Sequence, residues 1–208
     1  MALAPAATAP AFTPEEVAAG LTYAAYRQRI EQLLAEGKTT GPTQSDELLA
    51  YAQLNQQRMV RLDKTVQVLP ALRAAVQALR HRCLWVVITE GWCGDAAQVV
   101  PVLEAVARAA DGRIETRYLL RDEHLPVIDR YLTHGSRSIP KLVVLRADTL
   151  AEAGTWGPRP QAAHELVLKL KGEGMVLKEF ATHLHAWYAQ DKTQATQQEL
   201  LALVQGLE

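Results

Sequence analysis

The seven residues Cys83-Leu84-Trp85-Val86-Val87-Ile88-Thr89 carry no charge and are rich in β-branched side chains. A run of that length without polar alternation is a strand buried on both faces, so it demands a sheet with layers packed on either side. Directly after it the chain reads Glu90-Gly91-Trp92-Cys93-Gly94-Asp95, which is turn-forming and polar. Apolar residues then recur at helical spacing (Val99, Val100, Leu103, Val106, Ala107), which predicts a helix over 94–110. The junction therefore places a cysteine where free backbone N–H groups and the helix dipole favour negative charge. An exposed Cys93 with a lowered pKa is expected there, in the thiolate form that attacks disulfides. A lone cysteine is more often a buried structural residue; the turn-forming neighbours argue for a working one.

The remaining pattern is α/β. Strands are predicted at Ile114–Leu120, Lys141–Arg146 and 151–155, with a short helix over 125–132 and the loop Gly135-Ser136-Arg137-Ser138 between the second and third. After Trp156-Gly157-Pro158-Arg159-Pro160 the chain reads as helix over 161–171 and again, without interruption, over 176–206. Upstream, Thr13-Pro14-Glu15-Glu16 supplies an N-cap, a proline at the first helical position and a capping-box glutamate. One helix over 13–36 is predicted from it, ended by Gly37. A second over 45–64 has Leu48, Tyr51, Ala52, Met59 and Leu62 on one side, and a third follows Pro70 with Leu72, Val76 and Leu79. The expected organisation is a disordered tail (1–12), an N-terminal helical extension (13–66), an α/β domain (67–175) with a parallel portion and an antiparallel edge, and a C-terminal helix packed on it (176–208).

Composition removes several function classes. Twenty-two lysines and arginines against 23 aspartates and glutamates leave a net charge of −1, so no bulk field draws the chain to nucleic acid or to an anionic membrane. No apolar run approaches the roughly 18 to 20 residues of a membrane span. The N-terminus has no basic segment of the signal-peptide kind. Two cysteines make no disulfide framework, and a cytoplasmic setting is expected. Cys83 lies at the far end of the strand from Cys93, about 20 Å away, so no bridge joins the two. His183 and His185 diverge on a helix and share no metal; a solvated face is expected for both. Arg121, Arg137, Lys141 and Arg159 fall near the strand ends beside Cys93 and are candidates to receive an acidic ligand, unless Asp122 and Glu123 neutralise them.

Two segments together, Trp92-Cys93-Gly94 after the strand and Ser138-Ile139-Pro140 before the third strand, resemble the thioredoxin superfamily over about residues 69–171. The longer runs E-G-W-C-G-D-A-A-Q, R-S-I-P-K and T-W-G-P-R-P resemble a bacterial thioredoxin-family group with a single-cysteine W-C-G-D-A site. The resemblance implies a thioredoxin-like fold, a central mixed sheet flanked by helices, with Cys93 as nucleophile. It also implies a cis bond before Pro140 and backbone contacts to a bound peptide from Ile139. Trp92, Gly94, Asp95 and Trp156 complete the expected substrate-binding set.

Three departures narrow the chemistry. Ala96 stands where the family has its resolving cysteine, Asp95 where it has proline, and Val87 where it has a buried acid; the Asp95 charge, within a turn of the thiol, is expected to raise its pKa and oppose the helix effect. With one thiol, Cys93 forms mixed disulfides with protein or low-molecular-weight partners and needs an external thiol such as glutathione to release them. No metal or bound cofactor is expected. Monothiol exchange is one reading; a non-catalytic thioredoxin-fold module holding a peptide or small ligand is the other. The helical additions are expected to cover a sheet edge or to form a homodimer interface.

Overall fold

The computed structural model describes residues 10–207. In chain order the helices and strands are α1 (Pro14–Ala18), α2 (Tyr23–Ala35), α3 (Asp46–Thr65), α4 (Pro70–Gln77), β1 (Cys83–Thr89), α5 (Gly94–Ala109), β2 (Ile114–Leu120), α6 (Leu125–Ile128), β3 (Lys141–Arg146), β4 (Glu152–Trp156), α7 (Gln161–Gly172), α8 (Leu177–Asp191) and α9 (Gln194–Gln205). The sheet order is β2-β1-β3-β4. β1 runs parallel to β2 and antiparallel to β3, and β3 pairs antiparallel with β4 across a register shift at Val144/Leu145. This is the mixed sheet flanked by helices expected of a thioredoxin-like fold. Every residue of β1 is buried, as its unbroken apolar run requires of a strand with neighbours on both edges.

Three expectations are corrected. The helix predicted over 13–36 is two helices, because Leu21 leaves the helical path to exchange backbone hydrogen bonds with Tyr118 of β2 at 2.8 and 2.9 Å. The continuous helix over 176–206 also breaks, at Lys192 and Thr193, both of which take positive φ. The Asp191 carboxylate accepts from the Ala195 amide at that break. The tail predicted over 1–12 lies outside the described residues for its first nine positions, but Phe12 is buried and stacks on Tyr131.

The N-terminal segment shares the core. Tyr26, Ile30 and Met59 are buried in the same cluster as Trp85 and Leu103, and the Tyr26 ring stacks on Tyr118 at 5.4 Å. Arg27 is held by Asp63, by Tyr23 and by Gln56, which ties α2 to α3. At the other end, the Gln197 side chain accepts from the Leu69 amide (2.8 Å) and donates to the Gln67 carbonyl (3.1 Å), fixing α9 to the chain just ahead of α4. No helix among the described residues is long and apolar enough to cross a membrane.

Candidate functional site

Cys93 is the N-cap of α5, its backbone extended at φ −77° and ψ 118°. The turn before it is anchored from the N-terminal segment. The Gly91 amide donates to Thr40 Oγ1 at 2.8 Å, and the Gly91 carbonyl accepts from Asn55 Nδ2 on α3 at 3.1 Å. Both contacts are buried, so the loop carrying the cysteine is held through the two peptide groups that flank the Gly91 α-carbon. The Ile139–Pro140 peptide is cis, and the Ile139 carbonyl accepts from Cys93 Sγ at 3.4 Å. Trp92, Cys93, Gly94, Asp95, Ile139 and Pro140 are thus neighbours.

Trp156 is not brought to the thiol. Its indole Nε1 donates to Glu199 on α9 at 2.7 Å, while the other Glu199 oxygen accepts from the Gln161 amide, so Trp156 serves to hold the C-terminal helix. Ala96 is buried one turn after Cys93, and both cysteines are free thiols, with Cys83 at the opposite end of β1.

The expectation of an exposed, acidified thiol is corrected. Cys93 is 9% exposed. Burial and then the Asp95 carboxylate push its pKa up to about 12, against the opposing pull of the Ala96 and Asp95 backbone amides and the Arg159 cation. Desolvation of the charged form outweighs the helix terminus. Asp95 does not act on the sulfur by hydrogen bonding. Its Oδ2 accepts from Arg159 Nε at 3.0 Å and its Oδ1 from the Tyr188 hydroxyl at 2.7 Å. A buried carboxylate with both oxygens committed is a structural tie between α5, the β4–α7 loop and α8.

Of the other basic candidates, two are paired with carboxylates and the third is buried. Arg121 pairs with Asp122 at 2.8 Å and lies over the Trp92 ring, its guanidinium carbon 4.9 Å from the centroid. Arg137 holds Asp129 through two hydrogen bonds of 2.6 and 2.8 Å. Lys141 is buried, and burial lowers its pKa. The four cations form no anion-binding patch.

His185 corrects another expectation. It is not on a solvated face: its ring lies against Gly94, 3.0 Å from where a β-carbon there would sit, and its Nδ1 is 3.3 Å from Gln98 Nε2. Burial, followed by the Arg58 cation, lowers its pKa to about 4, so the imidazole is neutral. His183 is exposed as expected. No group of three or more histidines, cysteines, aspartates or glutamates among the described residues has metal-binding geometry.

The result is a cleft of about 330 Å³ with Cys93 in its wall. Leu48 and Tyr51 come from α3, Val167 and Lys171 from α7, and Phe180, Leu184 and His185 from α8. Helices α3 and α8, from outside the predicted 67–175 domain, therefore join α7 in building the walls of the cleft. Sequence reasoning missed this, and also missed Tyr188 and Glu90. Phe180, Leu184 and Tyr188 recur every four residues, with His185 beside Leu184, and that stripe was the available signal. Glu90 is fully buried, and its Oε1 accepts from the Asp122 amide at 2.9 Å. Burial raises its pKa.

A family model described as thioredoxin matches residues 41–178. The chain belongs to the thioredoxin family. The matched span begins at the loop that carries Gly41 and ends at the start of α8, so it takes in both the cysteine turn and the Ile139–Pro140 segment. A crystal structure of a protein of unknown function from Pseudomonas aeruginosa is similar with a TM-score of 0.58 at 20% identity, covering 95% of this thioredoxin-family chain and 99% of that one. An HIV epitope-scaffold is similar with a TM-score of 0.55 at 18% identity, covering 89% and 99%. At these identities the likeness carries the fold alone. No curated protein matches the chain.

Proposed function

We propose that this thioredoxin-family protein is a binding module in which Cys93 lines a covered cleft and rests as a protonated thiol. The carrying observation is the burial of Cys93 in the wall of the cleft beside a carboxylate, which lifts its pKa to about 12. A thiol held there is a poor nucleophile at neutral pH. Ala96 offers no resolving sulfur, and Ile139 O already occupies the thiol hydrogen. The cleft volume falls within the range of about 300–1,000 Å³ typical of small-molecule sites. The W-C-G-D-A run supports placing the chain in the single-cysteine bacterial group.

Monothiol exchange remains the second reading, favoured by the backbone amides of Asp95 and Ala96 that stabilise a thiolate. In that reading Cys93 attacks a protein or low-molecular-weight disulfide, expels one thiolate, and is released from the mixed disulfide by an external thiol such as glutathione. Alkylation of Cys93 against pH, in a Cys83→Ser background, separates the two. The binding module predicts a rate at pH 7.5 about a thousandfold below that of an ordinary thiol, rising with unit slope and no plateau to pH 10. A plateau with a midpoint at or below about 8.5 would sink the binding reading and leave monothiol exchange.

A further inference from the structure

The cleft beside Cys93 is apolar along most of its wall, and its polar groups are unbalanced in a way that selects a ligand. Its apolar side is Tyr51, Phe180, Leu184 and Leu177, and Leu177 is 60% exposed. Four ionisable groups besides the thiol matter. Asp95 has spent both oxygens on Arg159 and Tyr188. Arg159 has used Nε and Nη2 on Asp95, so that pair is neutral as a unit.

His185 lines the cleft with its ring against Gly94. The Gln98 amide nitrogen can only donate, so His185 Nδ1 accepts and the proton of the neutral ring is on Nε2. Lys171 has no carboxylate partner among the described residues; its Nζ stands 5.3 Å from the centroid of Phe180. The cleft therefore carries one cation without a carboxylate partner, Lys171 at its exposed rim, while the one carboxylate in its wall is already held by Arg159 and Tyr188.

We infer that the cleft takes an amphipathic organic monoanion, a single carboxylate on a medium-length apolar body, with the carboxylate at Lys171 and the apolar part between Tyr51, Phe180 and Leu184. This rests on the binding-module reading and adds the chemical class of the ligand. A cationic head would be repelled by the exposed Lys171 ammonium, and a neutral head would gain no charge pairing from it. A dianion would exceed the single free charge.

The test uses the full chain and three probes of equal length, decanoate, decanol and decylammonium, below their aggregation concentrations. Binding is followed by calorimetry and by the fluorescence of Trp92, which lines the cleft. Decanoate is expected to bind at least tenfold tighter than either analogue. Lys171→Met keeps the apolar stem and removes the charge, and should weaken decanoate about fivefold while leaving decanol unchanged. Ala181→Trp, which fills the cleft, should abolish binding of all three.

Decanol or decylammonium binding as tightly as decanoate would overturn the anion and leave the covered cleft standing. An unchanged decanoate affinity in Lys171→Met would overturn the placement of the carboxylate, and full binding by Ala181→Trp would overturn the cleft as the locus. Failure of all three probes with Cys93 still slow to alkylate overturns this inference alone; the same failure with a fast-alkylating Cys93 overturns the binding-module reading with it.

Discussion

Replacing Asp95 by alanine should separate what holds the site closed from what silences its thiol. Asp95 is 7% exposed and Tyr188 5%, and the Arg159 side chain is 19% exposed, so the carboxylate joins two partners largely shielded from water. Removing one member of a buried pair costs about 3–5 kcal/mol, because the remaining charge is left desolvated. The Tyr188 hydroxyl loses its acceptor as well, an effect of about 1–3 kcal/mol that overlaps the first. The expected loss for Asp95→Ala is about 4 kcal/mol, read from the urea midpoint at constant m-value. Adding Arg159→Met to the same variant removes the stranded charge and should return about 1–3 kcal/mol. In both variants Cys93 loses the carboxylate that helps hold its pKa up, so its alkylation midpoint should move down while stability falls. A loss under about 1 kcal/mol would refute the reasoning, since it would mean that solvent reaches the pair and screens it. So would a double variant no more stable than the single.

Three further outcomes follow from other contacts. Ala96→Cys places a second thiol one turn after Cys93, where i,i+3 neighbours approach within disulfide range, and mild oxidation followed by mass spectrometry should find the intramolecular bridge. His185 has its pKa depressed to about 4, so the unfolded chain binds the extra proton first as pH falls. Stability should therefore rise with pH from about 4 to 6.5, by about 2 kcal/mol more in the wild type than in His185→Gln, as pH-dependent urea titrations would show. Gly157→Ala sets a β-carbon 2.3 Å from the Pro140 carbonyl oxygen at φ +115°, so it should lower the thermal midpoint by well over 5 °C or prevent folding outright.

The strands were legible because their signal is local. Cys83–Thr89, Ile114–Leu120 and Lys141–Arg146 are bounded by turn residues and filled by apolar ones, and each occupies the predicted span. The cysteine turn and the Ile139–Pro140 segment were legible as motifs. What periodicity could not show was which surface each helix seeks. Nothing local to Thr40 or Asn55 says that they hold the Gly91 amide and carbonyl from about 51 and 36 residues away. The break at Leu21 had local signals in Gly20 and the Thr22 N-cap, but its pairing with Tyr118 was not local, and the break at Lys192 falls among helix-compatible residues. The burial of Cys93 was hidden because the helix terminus is written in the neighbouring residues, whereas the cleft walls come from α3, α7 and α8, remote in sequence.

The order in which the walls of the cleft are made bears on the life of the thiol. Cys93 leaves the ribosome long before the segment that covers it: Phe180 is 87 positions further along the chain. At about 5–20 residues per second, the nascent protein carries an uncovered thiol for roughly 4–17 seconds on every round of translation. An oxidant or electrophile that reacts only slowly with the finished molecule meets it then, and an adduct on the sulfur would occupy the cleft that α8 helps to line. Damage to Cys93 should accordingly scale with the rate of synthesis and not with the age of the protein, and a pulse of electrophile should mark newly made chains while sparing those already folded.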